Sequence, residues 1–311
     1  MWNRPPITDS DPPNRAGPIT GAQIFKRALT VISVLIAVAI PALTLPGLPR
    51  FAPGPALLGL LPWMIGKYVL CPLRWHAVSE SGRSRFWHVK TYAEGELFGL
   101  LTPGHIGSDV WRVRRLCRGG MPRLSAVTEV ALDRFVGAVG LTIFVGFAAS
   151  TLPVRTVIVT LAIGALGLVA VLIVRRIRPD WMPQRKLPPP RRLVHGLLLS
   201  IGYQASIIAL LLGTLHATGY SVSPLGLMGA FGVSQLAGAL PGFQGASPKD
   251  GALVVALAAL GVPWVAALGA VALKALLAWV PALIFGGGCL LLARRAQRAQ
   301  RAQPRLITAM G

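Results

Sequence analysis

Long apolar runs alternate with short polar segments along the chain. Runs over Ala28–Leu48, Val154–Val174 and Leu193–Leu215 reach the roughly 20 residues, at about 1.5 Å rise each, that a helix needs to cross a bilayer core. Further apolar runs follow the same pattern at Pro55–Leu73, Ser125–Ser150 and Trp264–Ala293. These six segments predict six membrane-spanning helices in an all-α, polytopic architecture. Two regions break the pattern. Trp87–Leu116 is mixed in polarity and interrupted by Pro103-Gly104, and Leu225–Val262 is interrupted by Pro241-Gly242. The second limb of the latter, Gly251–Val262, is too short to cross about 30 Å of hydrocarbon. Both regions are expected to enter and leave on one side as re-entrant hairpins.

Composition agrees with this reading. Hydrophobic residues make up 53% and charged residues 13% of the 311-residue chain, and mean hydropathy is +0.61. That charged share is about half that of an average soluble domain. The net charge of +21 raises nucleic acid as a partner. However, the basic residues fall in short blocks between apolar runs rather than on one face, so no nucleic-acid footprint is expected. Placing the N-terminus inside puts 25 of the 31 basic residues in cytoplasmic segments. Only Arg50, Arg155 and Lys249 then fall outside, and Lys67, Arg134 and Lys274 lie within apolar or broken segments. This positive-inside bias predicts a cell inner membrane protein with both termini cytoplasmic. The expected organisation is a Pro-rich tail over 1–25, one transmembrane domain over 26–293 and a basic tail over 294–311. The tail ahead of Lys26-Arg27 lacks the layout of a cleaved signal peptide. Cys71, Cys117 and Cys289 have no ligand-like spacing, so neither a disulfide framework nor a metal site is expected, and no cofactor is implied.

The two breaks resemble each other. One reads Pro103-Gly104-His105-Ile106-Gly107, the other Pro241-Gly242-Phe243-Gln244-Gly245. Each is followed, 31 and 33 residues after its proline, by a cation set about ten residues into the next apolar run: Arg134 and Lys274. Paired broken segments of opposite orientation are what an inverted-repeat transporter shows. A charge near the midplane costs at least about 2.5–3.5 kcal/mol on insertion scales, so Arg134 and Lys274 are the first candidates for function. They would hold an anionic headgroup, or pair internally, for example Lys274 with Asp133 or Arg134 with Asp250. Gly104, Gly107, Gly242 and Gly245 allow tight turns, or would let half-helix amides approach an anion. Asp109 and Arg112, with Glu94 and Glu96, flank the first break as a gate, a headgroup contact or a solvated rim. Glu129 and Asp133, four apart on one helix face, would either share a proton or neutralise buried cations. Lys67 and Arg74 are expected to snorkel to the inner interface, and His105 to serve in packing.

These motifs resemble the lysylphosphatidylglycerol synthase transmembrane-domain family, also described as flippase-like. The likeness rests on Leu100–Leu141, with Leu132-Asp133-Arg134-Phe135, and on Ala239–Pro281, with Asp250 and a membrane cation. It covers about Ile24 to Ala293. Phe243 stands where that family has a glycine, Asp250 comes later than its usual acid, and Lys274 replaces a common arginine. The resemblance implies the membrane unit alone, without the soluble catalytic domain of lipid-aminoacylating members. It points to translocation or handling of an anionic lipid: a polyprenyl phosphate, a phospholipid, a glycolipid or a hopanoid-type lipid. Membrane lipids are the expected partners. Two other readings stay open: a membrane-embedded transferase on a lipid-linked donor, with Glu94, Glu96 or Asp109 as base, and an accessory subunit that docks a lipid-pathway enzyme through Arg175–Arg192.

Overall fold

The computed structural model of the chain describes residues 51–100, 102–147, 188–239 and 247–293, together with isolated positions elsewhere. Within these, every regular element is helical. We number them α1 (Pro53–Val78), α2 (Arg85–Leu100), α3 (Ile106–Arg118), α4 (Arg123–Gly146), α5 (Pro190–Ala217), α6 (Pro224–Leu236), α7 (Pro248–Ala259) and α8 (Trp264–Ala293). The expected spans Ala28–Leu48 and Val154–Val174, and both tails, lie outside the described residues.

Among the described residues, three helices are long and apolar enough to cross a membrane: α1, α5 and α8, with 26, 28 and 30 residues. Their outward residues are large and apolar. Leu57, Leu58 and Leu61 of α1 and Leu283, Ile284, Leu291 and Leu292 of α8 are all exposed. So broad an apolar exterior is suited to lipid rather than water. The expected span Ser125–Ser150 falls on the helix α4. Its 24 residues would extend about 36 Å. It carries Glu129, Asp133 and Arg134, which leave it short of the apolarity of the other three.

α1 runs past the expected end at Leu73 to Val78, because its polar last turns are buried by partners rather than solvated. A π-turn over Gly66–Leu70 interrupts it, closed by the Cys71 amide donating to the Gly66 carbonyl. Pro72 follows, and its missing N–H removes one regular helical bond at this point. α8 has a second π-turn over Ala282–Gly286, directly after Pro281. Such turns insert one extra residue into a helix.

α1 and α5 pack through small residues. A side chain at Gly59 would come within 2.6 Å of the Ala209 carbonyl. One at Gly66 would overlap the Ser206 hydroxyl, and one at Gly213 the Pro55 carbonyl. Close backbone approach of this kind is how apolar helices associate where lipid competes for every apolar surface. α5 also packs on α4, α6 and α8, so it stands at the centre of the described helices. Around it Phe144, Leu211, Leu215, Phe231, Leu257 and Ala270 form the main apolar core.

Both broken regions are helix–break–helix units whose limbs pack on one another, α2 on α3 and α6 on α7. The longest limb, α2, has 16 residues, about 24 Å, so no limb reaches across about 30 Å of hydrocarbon.

Candidate functional site

The first break is built by local chemistry. Thr102 Oγ1 donates to the Phe98 carbonyl (3.0 Å) and accepts from the Gly107 amide (2.7 Å), tying the start of α3 to the end of α2. A Cβ at Gly107 would collide with the Phe98 carbonyl, so glycine is needed for the approach. Between them Gly104 and His105 both take left-handed backbone angles, φ 62° and 61°. Glycine does so freely, whereas a residue with a side chain stores strain there. The strained turn aims the His105 ring at Glu96, with Nε2 3.5 Å from its carboxylate. In the second break the limb α7 starts with a reciprocal cap: Ser247 Oγ accepts from the Asp250 amide, and Asp250 accepts from the Ser247 amide.

A cavity of about 390 Å³ is lined by residues of both broken regions. Gly104 and His105 reach it from one side, and Gly238, Ser247, Lys249 and Asp250 from the other. α1 contributes Lys67, α2 Glu96, α4 Arg134 and α8 Lys274. Uncharged polar side chains line it too, Tyr203 and Gln204 from α5 and Ser234 and Gln235 from α6, beside apolar ones such as Trp63, Leu141 and Phe231.

The charges are unevenly paired. Lys67 Nζ lies 2.9 Å from Glu96, with the Tyr92 and Tyr203 rings 5.5 and 5.9 Å away. Lys274 Nζ donates to Asp250 at 3.0 Å. Arg134, half exposed, contacts Asp109 at 3.1 Å. Lys249 has no carboxylate within ion-pair distance among the described residues. Four cations therefore line the cavity against two carboxylates, Glu96 and Asp250, and an excess of positive charge persists when Asp109 is counted with Arg134. In a low-dielectric setting such an excess attracts an anion that supplies the missing charge.

The two halves follow the same ion-pair rule. In each, an acid on the second limb of the broken unit reaches the cation on the following helix, Asp109 to Arg134 over 25 residues and Asp250 to Lys274 over 24. The expected internal pairs, Lys274 with Asp133 and Arg134 with Asp250, are thus replaced by pairs local to each half.

Behind the cavity wall sits a buried network, joined to Arg134 through Asp109, which lies 3.6 Å from Arg112. Asp133, fully buried, accepts from Arg74 Nε (2.8 Å) and from an Arg112 terminal nitrogen (2.7 Å). The Arg112 guanidinium also lies 4.2 Å from the Trp75 ring centre. Glu129, one turn away, accepts from Trp75 Nε1 and the Ser79 hydroxyl, at 3.1 and 2.6 Å, and from the Glu80 amide. The two carboxylates therefore have different roles: Asp133 neutralises cations, while Glu129 is held by neutral donors. Lys67 and Arg74 do not snorkel. They are buried and ion-paired, because Glu96 and Asp133 offer closer partners than the interface does. Glu94 is likewise buried, between Trp111 Nε1 and Arg115.

Of the residues expected at a site, the structure brings Arg134, Lys274, Gly104, Asp250 and Glu96 to the cavity. Asp109 reaches it only through Arg134, and Gly107 serves the turn. Arg112, Asp133 and Glu129 belong to the buried network. Gly242 and Gly245 lie outside the described residues. Lys67, His105 and Lys249 were not expected as cavity groups, nor were Tyr203, Gln204, Ser234 and Gln235. The legible signal for the last four was an amide or hydroxyl inside an otherwise apolar helix. Comparison with family models, with curated proteins and with solved structures finds no match for this chain.

Proposed function

We propose that the chain is a flippase-like membrane protein that binds the headgroup of an anionic lipid in the cavity between its two broken units and handles or moves that lipid across the inner membrane. The observation that carries this reading is the cavity's charge, four cations against two lining carboxylates, in a body whose exterior is apolar. Lys249 and Arg134 are the contacts most available to a phosphate, one without a carboxylate partner among the described residues and one half exposed. Arginine suits this task because its planar fork matches two phosphate oxygens. The uncharged donors Gln204, Ser234 and Gln235 would orient the remaining headgroup oxygens, while the acyl chains stay in lipid. The matched acid–cation offsets in the two halves support an inverted repeat, and the short limbs support re-entrant hairpins. With the two outlying apolar runs, the chain would make six crossings, with both termini in the cytoplasm. The sequence resemblance to the flippase-like family narrows the cargo to a phospholipid, a polyprenyl phosphate, or a glycolipid or hopanoid-type lipid.

Native mass spectrometry of the purified protein with its co-purifying lipids tests this reading, comparing wild type with Lys249→Gln and Lys274→Ala. A specific anionic lipid that is retained by wild type and lost in both variants supports the cavity. Binding that is indifferent to both substitutions reduces these lysines to structural charges and removes the basis for the reading.

A further inference from the structure

A second concave surface adjoins the cavity. α3 and α4 enclose a groove of about 750 Å³. Its floor is apolar, formed by Val110, Val113, Val127, Val130 and Ala131. Arg114, Arg118 and Arg123, all exposed, stand on its rim, and Asp109 is the one carboxylate lining it. Arg134 lines the groove and the cavity alike. Along α4 the groove runs from Arg123 to Arg134, about 16 Å by helix rise.

This arrangement has the form of a lipid. Three arginines at one end present planar donors to a phosphate. A strip of valines beside them matches hydrocarbon, and the exposed Leu124 and Phe135 flank it at the two ends along α4. A soluble anion would gain nothing from the valine floor, and a neutral lipid nothing from the arginines. We infer that the groove is a lateral binding site for an acidic phospholipid, with its phosphate on Arg114, Arg118 and Arg123 and one acyl chain along the valines. Arg134, shared between the two surfaces, marks the point where a headgroup passes from groove to cavity. This last step rests on the cavity taking an anionic headgroup, as proposed above; occupancy of the groove does not.

The test places a photo-crosslinking benzoylphenylalanine at the exposed Val127, in phosphatidylcholine nanodiscs containing a minor fraction of phosphatidylglycerol. Phosphatidylglycerol should be captured well above its share of the bilayer. Arg118→Gln with Arg123→Gln should lower that capture by at least about tenfold, and Lys249→Gln should leave it unchanged. Capture in proportion to bilayer abundance overturns the inference, as does an adduct with another segment of this chain. Lipid movement by the same protein in vesicles is followed in parallel. Selective capture without movement retains the groove and defeats the transport reading, whereas movement without selective capture does the reverse.

Discussion

Replacing Asp133 by Asn removes the charge nearest to two buried guanidiniums; Asp109, 3.6 Å from Arg112, is a more distant second partner for that arginine. Arg74 and Arg112 approach this carboxylate at 2.8 and 2.7 Å, and their exposures are 6% and 1%. Asn keeps the volume and one acceptor oxygen but turns an N–H2 toward the other arginine. Stranding a buried charge by removing its partner destabilises by about 3–5 kcal/mol. In a body of this size each kcal/mol shifts the unfolding midpoint by roughly 2–4 °C, so the loss should be on the order of 10 °C. Thermal unfolding of the detergent-solubilised protein, read by tryptophan fluorescence, measures it. The companion variant Arg112→Met removes one of the two cations. In that background Asp133→Asn strands only Arg74 and should be milder by at least about 1 kcal/mol in a double-mutant cycle. A midpoint for Asp133→Asn within about 2 °C of wild type, or equal effects in both backgrounds, would refute the account of Asp133 as the neutralising centre.

Two further outcomes follow from the packing and the turn. Gly66→Ala should destabilise by about 1–3 kcal/mol, because the new methyl overlaps the Ser206 hydroxyl; Ser206→Gly should restore most of it, and an unfolding series without that rescue would mean that α1 and α5 do not meet there. His105→Gly relieves a strained φ of 61° while deleting the ring beside Glu96, so the unfolding midpoint should hold or rise as anionic lipid binding in the native spectrum falls. His105→Ala should lose both stability and binding.

Helix positions were largely legible in the sequence because apolar runs report length directly. α8 occupies the expected Trp264–Ala293, and α5 extends the expected run by only a few residues at each end. The Pro103-Gly104 break was legible for the same reason, since it interrupts otherwise continuous periodicity, whereas Pro241-Gly242 lies outside the described residues. The site was legible only where a charge stood alone in an apolar run, as at Arg134 and Lys274. Partners were not: Arg74 meets Asp133 59 residues away, and Lys67 meets Glu96 on another helix. Hydropathy along a single chain registers the cost of a charge but not the carboxylate that offsets it across the bundle. For this reason Lys67 and Arg74 read as interfacial while they are in fact interior. Gln204 and Gln235 carry no charge, and so they left almost no mark on the apolar pattern that surrounds them.

The π-turn in α1 sets the phase of everything after it. Lys67 and Arg74 are a heptad apart, and in an uninterrupted helix, at about 100° per residue, they would share one stripe and compete for the same neighbours. The surplus residue between them turns the downstream segment by about one residue's rotation. Lys67 thereby meets Glu96 of α2, whereas Arg74 meets Asp133 of α4. A single helix thus feeds two charge clusters on different neighbours, one facing the cavity and one behind its wall, and its winding decides which cation joins which.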